Sequence, residues 1–180
     1  MIYFSSDLHF NHNKPFIYEP RGFKDVYEMN RTIINNFHKI ITPEDDLYVL
    51  GDIMLGDLEE GIKLVHQLPG KLHIIWGNHC TNNRKAALAE SWNVVEVLGW
   101  ASMLKVDHYH FYLSHFPTCT TNFDDYIKPL RQQILCLAGH THSKELFEPC
   151  GSYNVAVDAH NCYPVSIEQI ISDFERKYSI

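Results

Sequence analysis

The sequence lacks a surplus of positive charge: its 180 residues carry 15 Lys and Arg against 22 Asp and Glu, a formal net charge of −7. Such a chain offers no wide basic surface for gripping nucleic acid through its phosphates, and no basic stripe with a stacking platform for a single strand. It also lacks any C-x-x-C pair. Its five cysteines (Cys80, Cys119, Cys136, Cys150, Cys162) are odd in number, which argues against a disulfide framework. No basic segment followed by a long apolar run opens the sequence, and no apolar stretch is long enough to span a bilayer. These absences lead to the expectation of a soluble, cytoplasmic protein. Repeats, linkers and low-complexity segments are missing too, so one domain over residues 1–180 is expected.

Histidine is what the sequence has in excess. There are twelve, and histidine is the commonest metal ligand. Two of them stand in the stretch Ile-Leu-Cys-Leu-Ala-Gly-His-Thr-His, residues 134–142, where an apolar run of strand length stops at Gly139 and is followed by His140 and His142. A continuous apolar run is the pattern of a strand buried on both faces. Four further strand candidates end alike. Residues 2–6 run into Asp7 and His9, 47–50 into Asp52, 72–76 into Asn78 and His79, and 111–114 into His115. Five apolar strands delivering Asp, Asn or His at their ends mark a metal site at one rim of a β-sheet.

The remaining elements follow from caps and periodicity. Asp25 with Glu28 and Asp57 with Glu60 are capping boxes that open helices. Val26, Met29, Ile33, Phe37 and Ile40 form the buried stripe of the first, and Leu58, Ile62, Val65 and Leu68 that of the second. The cap reading of Asp57 outweighs one as a site acid. Pro15, Pro20 and Gly22 predict irregular chain between the first strand and the first helix. Residues 81–91 read as a short helix and 93–113 as two or three strands turning near Gly99 and Asp107. Residues 118–130 read as a loop with one helical turn, and 153–157 as a strand. A final helix begins at the Ser166–Gln169 box, with Ile167, Ile170, Ile171, Phe174 and Tyr178 docking it on a sheet. Helices between early strands and hairpins later give an α/β layered fold, two packed sheets with helices outside.

A pair of divalent ions about 3.5–4 Å apart can clamp both oxygens of an in-line phosphoryl displacement. The candidate ligands are Asp7, His9, Asp52, Asn78, His115, His140 and His142. Mixed imidazole and carboxylate donors suit Mn, Fe, Zn or Ni over Ca or Mg. His79, beside Asn78, is placed to act as a general acid. Among neighbouring residues, Asn11, His12 and Arg21 are candidate contacts to a phosphate or nucleobase. Cys80 reads as a space-filling thiol and Arg84 as a solvated helix residue.

The ordered blocks Asp7-x-His9, Gly51-Asp52, Gly77-Asn78-His79, His115 and Gly139-His140-x-His142 resemble the calcineurin-like metallophosphoesterase superfamily. Asp7-Leu-His9-Phe10-x-His12, Asn154-Val-Ala-Val-Asp158 and Pro164-Val-Ser resemble its small single-domain bacterial and phage members. The resemblance implies a four-layer α/β/β/α sandwich, two mixed sheets flanked by helices, with the site at the strand-end rim. It implies that Asp7, His9 and His142 hold one metal, that Asn78, His115 and His140 hold the other, and that Asp52 bridges. It further implies two divalent transition-metal ions, Mn first, with a shared hydroxide attacking phosphorus and His79 protonating the leaving alkoxide. Two positions depart from the pattern. Cys80 and Leu55 stand where many members carry acids, and the second of those acids often orients the catalytic histidine. A small phosphodiester, nucleotide-like or simpler, is the first expectation for substrate. General phosphomonoester hydrolysis, or a catalytically silent binding module on the same fold, is the alternative.

Overall fold

The computed structural model describes residues 1–119 and 129–178. The element order is β1 (Ile2–Ser5), α1 (Pro15–Tyr18), α2 (Val26–His38), β2 (Asp46–Leu50), α3 (Leu58–Val65), β3 (Lys71–Ile75), α4 (Asn82–Ala89), β4 (Val94–Gly99), β5 (Ala101–Val106), β6 (Tyr109–Ser114), β7 (Ile134–Ala138), β8 (Tyr153–Asn154), β9 (Val165–Ser166) and α5 (Ile167–Tyr178). Two mixed sheets result, of order β4-β3-β2-β1-β9 and β5-β6-β7-β8, flanked by helices. In the first, β1 to β4 are parallel and β9 is antiparallel to β1. In the second, β5 and β6 form a hairpin, and β6, β7 and β8 run parallel.

Alternation along each strand sorts side chains between two cores. From β1 to β3, Tyr3, Leu47, Val49, Leu72 and Ile74 face α2 and α3, meeting Val26, Met29, Ile33, Phe37 and Val65. Phe4, Tyr48, Leu50 and Ile75 face the other way, against Phe111, Leu113, Leu135 and Leu137 of the second sheet. The first sheet is therefore apolar on both faces, which is why its strands read as continuous runs. Ile167, Ile170 and Phe174 of α5 join the second core, where Phe174 lies 5.7 Å from the Tyr153 ring. The four predicted helices start where their caps place them. Asp25 accepts from the Glu28 amide, Asp57 from Glu60, Thr81 from Arg84 and Ser166 from Gln169.

Some expectations shift. Residues 15–18 form a short helix inside the segment expected to be irregular. Ile40 lies past the end of α2 and is 38 % exposed, so the stripe closes at Phe37. Only Tyr153–Asn154 pair as a strand where 153–157 was expected, because the chain there changes partners. Val155 donates to the Ala138 carbonyl of the second sheet and Val157 to the Ser6 carbonyl of the first, stitching the two sheets together at the rim. The expected loop at 118–130 falls largely outside the described residues, with Leu130–Gln132 forming a 3-10 turn at its end. Among the described residues, no helix is long and apolar enough to cross a membrane.

Candidate metal centre

Because β1, β2 and β3 are parallel, their carboxyl ends share one rim, and β6 and β7 bring theirs to the same place. β1 delivers Asp7 and His9 there, and β2 delivers Asp52. Asn78 and His79 follow β3, His115 follows β6, and His140 and His142 follow β7. The backbone turns sharply at the exits of β1, β2 and β7. Asp7, His9, Asp52, His140 and His142 take positive φ values of 56°, 49°, 45°, 76° and 54°. Each such residue costs on the order of 1–2 kcal/mol, and backbone strain of this kind collects at functional sites. Close approach is also required. A Cβ at Gly77 would overlap the Asp52 carboxylate, and one at Gly139 would overlap Asp7 Oδ2 and Ser6 Oγ.

The donors form two overlapping clusters. Asp7, His9 and His142 each present one ligand atom, all within 4.8 Å of one another, and Asp7, Asp52 and His115 do the same. His9 Nε2 stands 3.7 Å from Asp7 Oδ1 and 3.8 Å from Asp52 Oδ2. His142 Nε2 is 3.7 Å from Asp7 Oδ1, and His115 Nε2 is 3.4 Å from Asp52 Oδ2. Asp52 Oδ2 thus lies between the His9 side and the His115 side. Asn78 joins through its Oδ1, 2.9 Å from His115 Nε2, and His140 through its Nδ1, 3.2 Å from the same nitrogen.

The hydrogen bonds around this set turn its lone pairs inward. The Ser6 hydroxyl and the His140 amide donate to Asp7 Oδ2, leaving buried Oδ1 without a partner. The His79 amide donates to Asp52 Oδ1, leaving Oδ2 facing the imidazoles. His115 Nδ1 donates to the Leu50 carbonyl at 2.9 Å, which turns Nε2 toward Asn78 Oδ1 and Asp52 Oδ2. His9 Nε2 is buried and unpartnered. Acceptors facing acceptors in a buried space are costly unless a cation stands among them. The donor set fits a pair of divalent ions.

Charge adapts accordingly. Burial alone would raise the Asp7 carboxyl, but the facing His9 imidazole and the charges of His115 and His142 outweigh it and hold the carboxyl below its usual range. Burial likewise opposes ionisation of Asp52, yet His115 and the His79 amide bring it down to about 2. Burial lowers His9, and it lowers His12 to about 4 with help from the charge of His9. His115 is raised against its burial by Asp52 and Asp7, and His142 against its burial by Asp158 and Asp7.

Around this centre the other expected residues take distinct places. His79 is half exposed, with Nε2 3.8 Å from Asp52 Oδ2. His12 shares a 3.1 Å Nδ1···Nδ1 hydrogen bond with His9. Asn11, also at positive φ (60°), donates from its side chain to the Asp57 carbonyl. Arg21 is internal, its side chain 2 % exposed, gripping Asp158 through Nε at 2.9 Å and Nη2 at 2.7 Å and donating to the Asp7 carbonyl. Cys80 is buried and its thiol is pushed up by that burial. Arg84 ties the His79 and Gly56 carbonyls together. Sequence reasoning gave no role to Asp158 or Ser6. Asp158 accepts from His142 Nδ1 at 3.1 Å and so sets that ring's orientation. Its signal was the Asn154-Val-Ala-Val-Asp158 block, and that of Ser6 its place directly before Asp7.

The fold is that of the calcineurin-like phosphoesterases, carrying two overlapping His/Asp clusters suited to a pair of metal ions. No family model matches the chain. It is 32 % identical over 185 residues to MJ1445, an uncharacterised protein of Methanocaldococcus jannaschii, across 97 % of this chain and 92 % of that one. It is 30 % identical over 161 residues to the gene 66 protein of Mycobacterium phage L5, across 78 % of this chain and 77 % of the relative. The chain belongs to the family of these two proteins. Among solved structures it is similar to a protein of unknown function from Aquifex aeolicus, with 26 % identity, a TM-score of 0.73, and coverage of 97 % of this chain and 98 % of that one. A structure described as an archaeal phosphodiesterase shares the fold at 16 % identity and a TM-score of 0.51, over 86 % of this chain and 81 % of that one.

Proposed function

We propose that this single-domain chain is a dinuclear metal-dependent phosphoesterase whose substrate is a small phosphodiester, nucleotide-like or simpler. The observation that carries the reading is the inward-facing, mutually unpartnered donor set, above all Asp7 Oδ1 and His9 Nε2. Asp7, His9 and His142 hold one ion in this reading. Asn78, His115 and His140 hold the second, and Asp52, within reach of His9 and His115, serves both. Manganese suits these donors, as do Fe, Zn and Ni. Bound there, such ions supply positive charge to phosphoryl oxygens and acidify water.

The chain's own residues do the remaining work. His79, half exposed at the rim, carries a proton to the leaving oxygen. Its only ring contact to a carboxylate among the described residues is to Asp52, so no second acid supports it where Cys80 and Leu55 stand. His12 and Asn11 border the site and meet the substrate, while Arg21 and Asp158 position His142 from behind. The archaeal phosphodiesterase lends the fold alone to this reading.

The test is hydrolysis of bis-p-nitrophenyl phosphate and p-nitrophenyl phosphate with Mn and with chelator. Diester turnover that needs Mn is the expected result, with kcat falling about 10²–10³-fold in His79→Ala. Turnover of the monoester alone makes the chain a phosphomonoesterase. No turnover of either ester with metal loaded makes it a silent binding module and overturns the reading.

A further inference from the structure

Two phenylalanine rings stand exposed at the ends of the imidazole cluster. Phe16 is 68 % exposed and meets the His12 ring edge to face, centroids 5.7 Å apart. Phe116 is 42 % exposed and meets His140 at 4.7 Å and His115 at 5.1 Å in the same manner. Ring contacts run from Phe16 to His12 (5.7 Å), on to His9 (5.2 Å) and to His142 (4.8 Å). His115, His140 and Phe116 close the other side of the same centre, since Asp52 reaches both His9 and His115.

Neither ring fills a core, and local hydrogen bonds shape the backbone that carries each. Phe16 lies in α1, pinned by buried Ile17 and by the Ile17 amide donating to the Lys14 carbonyl at 2.9 Å. The Phe116 carbonyl accepts from the Ser114 hydroxyl at 2.7 Å and the Thr118 hydroxyl at 3.0 Å. Single exposed apolar rings are ordinary on a protein surface, and what sets these two apart is that each lies against an imidazole of the candidate centre, where a bound ester would cover it. A rigid one loses little entropy when that happens.

We propose that Phe16 and Phe116 are the two walls of a substrate site, each covering one of the groups esterified to the phosphate, and that they select diesters carrying a planar, nucleoside-like group. This rests on the phosphodiesterase reading above. The separation of the rings by the metal centre distinguishes the arrangement from a strand-binding platform, where aromatic residues stack successive bases in a basic groove. The net charge of −7 points the same way, toward one small ester and not a polynucleotide.

The experiment compares thymidine 5′-(p-nitrophenyl phosphate) with methyl p-nitrophenyl phosphate, which share a leaving group and differ only in the other ester. The parent is expected to prefer the thymidine ester in kcat/KM. In the Phe16→Ala/Phe116→Ala double variant that preference falls about tenfold, as the loss of base stacking on an aromatic side chain would give. The Phe16→Trp/Phe116→Trp double variant keeps it. A purely structural role for the rings, acting through His12 or His140, would lower both esters equally. A preference unchanged within twofold therefore overturns the proposal, as does a parent that shows no preference. Calorimetric affinity for thymidine 5′-monophosphate reads the same walls without turnover. If no ester is hydrolysed, equal binding by parent and alanine variant defeats the walls, and weaker binding by the variant upholds them while the phosphodiesterase reading falls.

Discussion

The His142 ring is oriented by its Nδ1, which donates to Asp158, and second partners of this kind are what fix the aim of an imidazole proposed as a metal ligand. Arg21 holds Asp158 in turn with two bonds while donating to the carbonyl of Asp7, so one guanidinium positions donors from opposite ends of the chain. Asp158→Asn should weaken Mn binding about 10–100-fold in a calorimetric titration while the metal-free protein stays folded. His12 makes a second test at this scale. Its folded pKa of about 4 lies below that of an unfolded histidine, 6.5, so between those two pH values the unfolded chain binds the proton and the folded chain resists it. Stability on this account falls as pH falls through that window. His12→Gln removes the group. The metal-free variant should lose less stability than the parent between pH 6.5 and pH 4, read by urea denaturation at several pH values; equal losses would contradict the assigned shift.

The elements bring these residues together by parallel pairing: strands that run the same way end at the same rim. That much was legible in the sequence, because apolar runs ending in Asp, Asn or His recur five times and the caps at Asp25, Asp57 and Ser166 are local signals. Illegible were features that depend on distant partners. The salt bridge between Arg21 and Asp158 spans 137 positions, so Arg21 read as a candidate phosphate or nucleobase contact and not as the internal partner of Asp158. The two-residue strand β9 exists only because β1 offers an edge to it, and the chain at 155–157 splits its bonds between two sheets. The left-handed turns at Asp7, His9 and Asp52 fall on the residue types that tolerate them best, yet such turns are rare outside glycine and no local pattern announces them. Two predictions belong here. Gly139→Ala places a methyl group on Asp7 Oδ2 and Ser6 Oγ, so it should cost about 1–3 kcal/mol in urea unfolding and abolish the stabilisation gained from Mn. Asp57→Ala removes the α3 cap alone and should cost about 1 kcal/mol with Mn affinity unchanged.

For the molecule as a whole, backbone strain and unpartnered polar atoms gather at the rim. Any ion that binds the folded chain and not the unfolded one raises stability by mass action, about 2.7 kcal/mol at a hundredfold excess over its Kd. The most direct measurement is the number and place of those ions, from calorimetric titration of the chelator-stripped protein and anomalous scattering from crystals grown with Mn. Two ions per chain are expected, one beside Asp7, His9 and His142 and one beside Asn78, His115 and His140, with Asp52 touching both. A single ion, no ion, or two ions lying away from Asp52 would contradict that expectation.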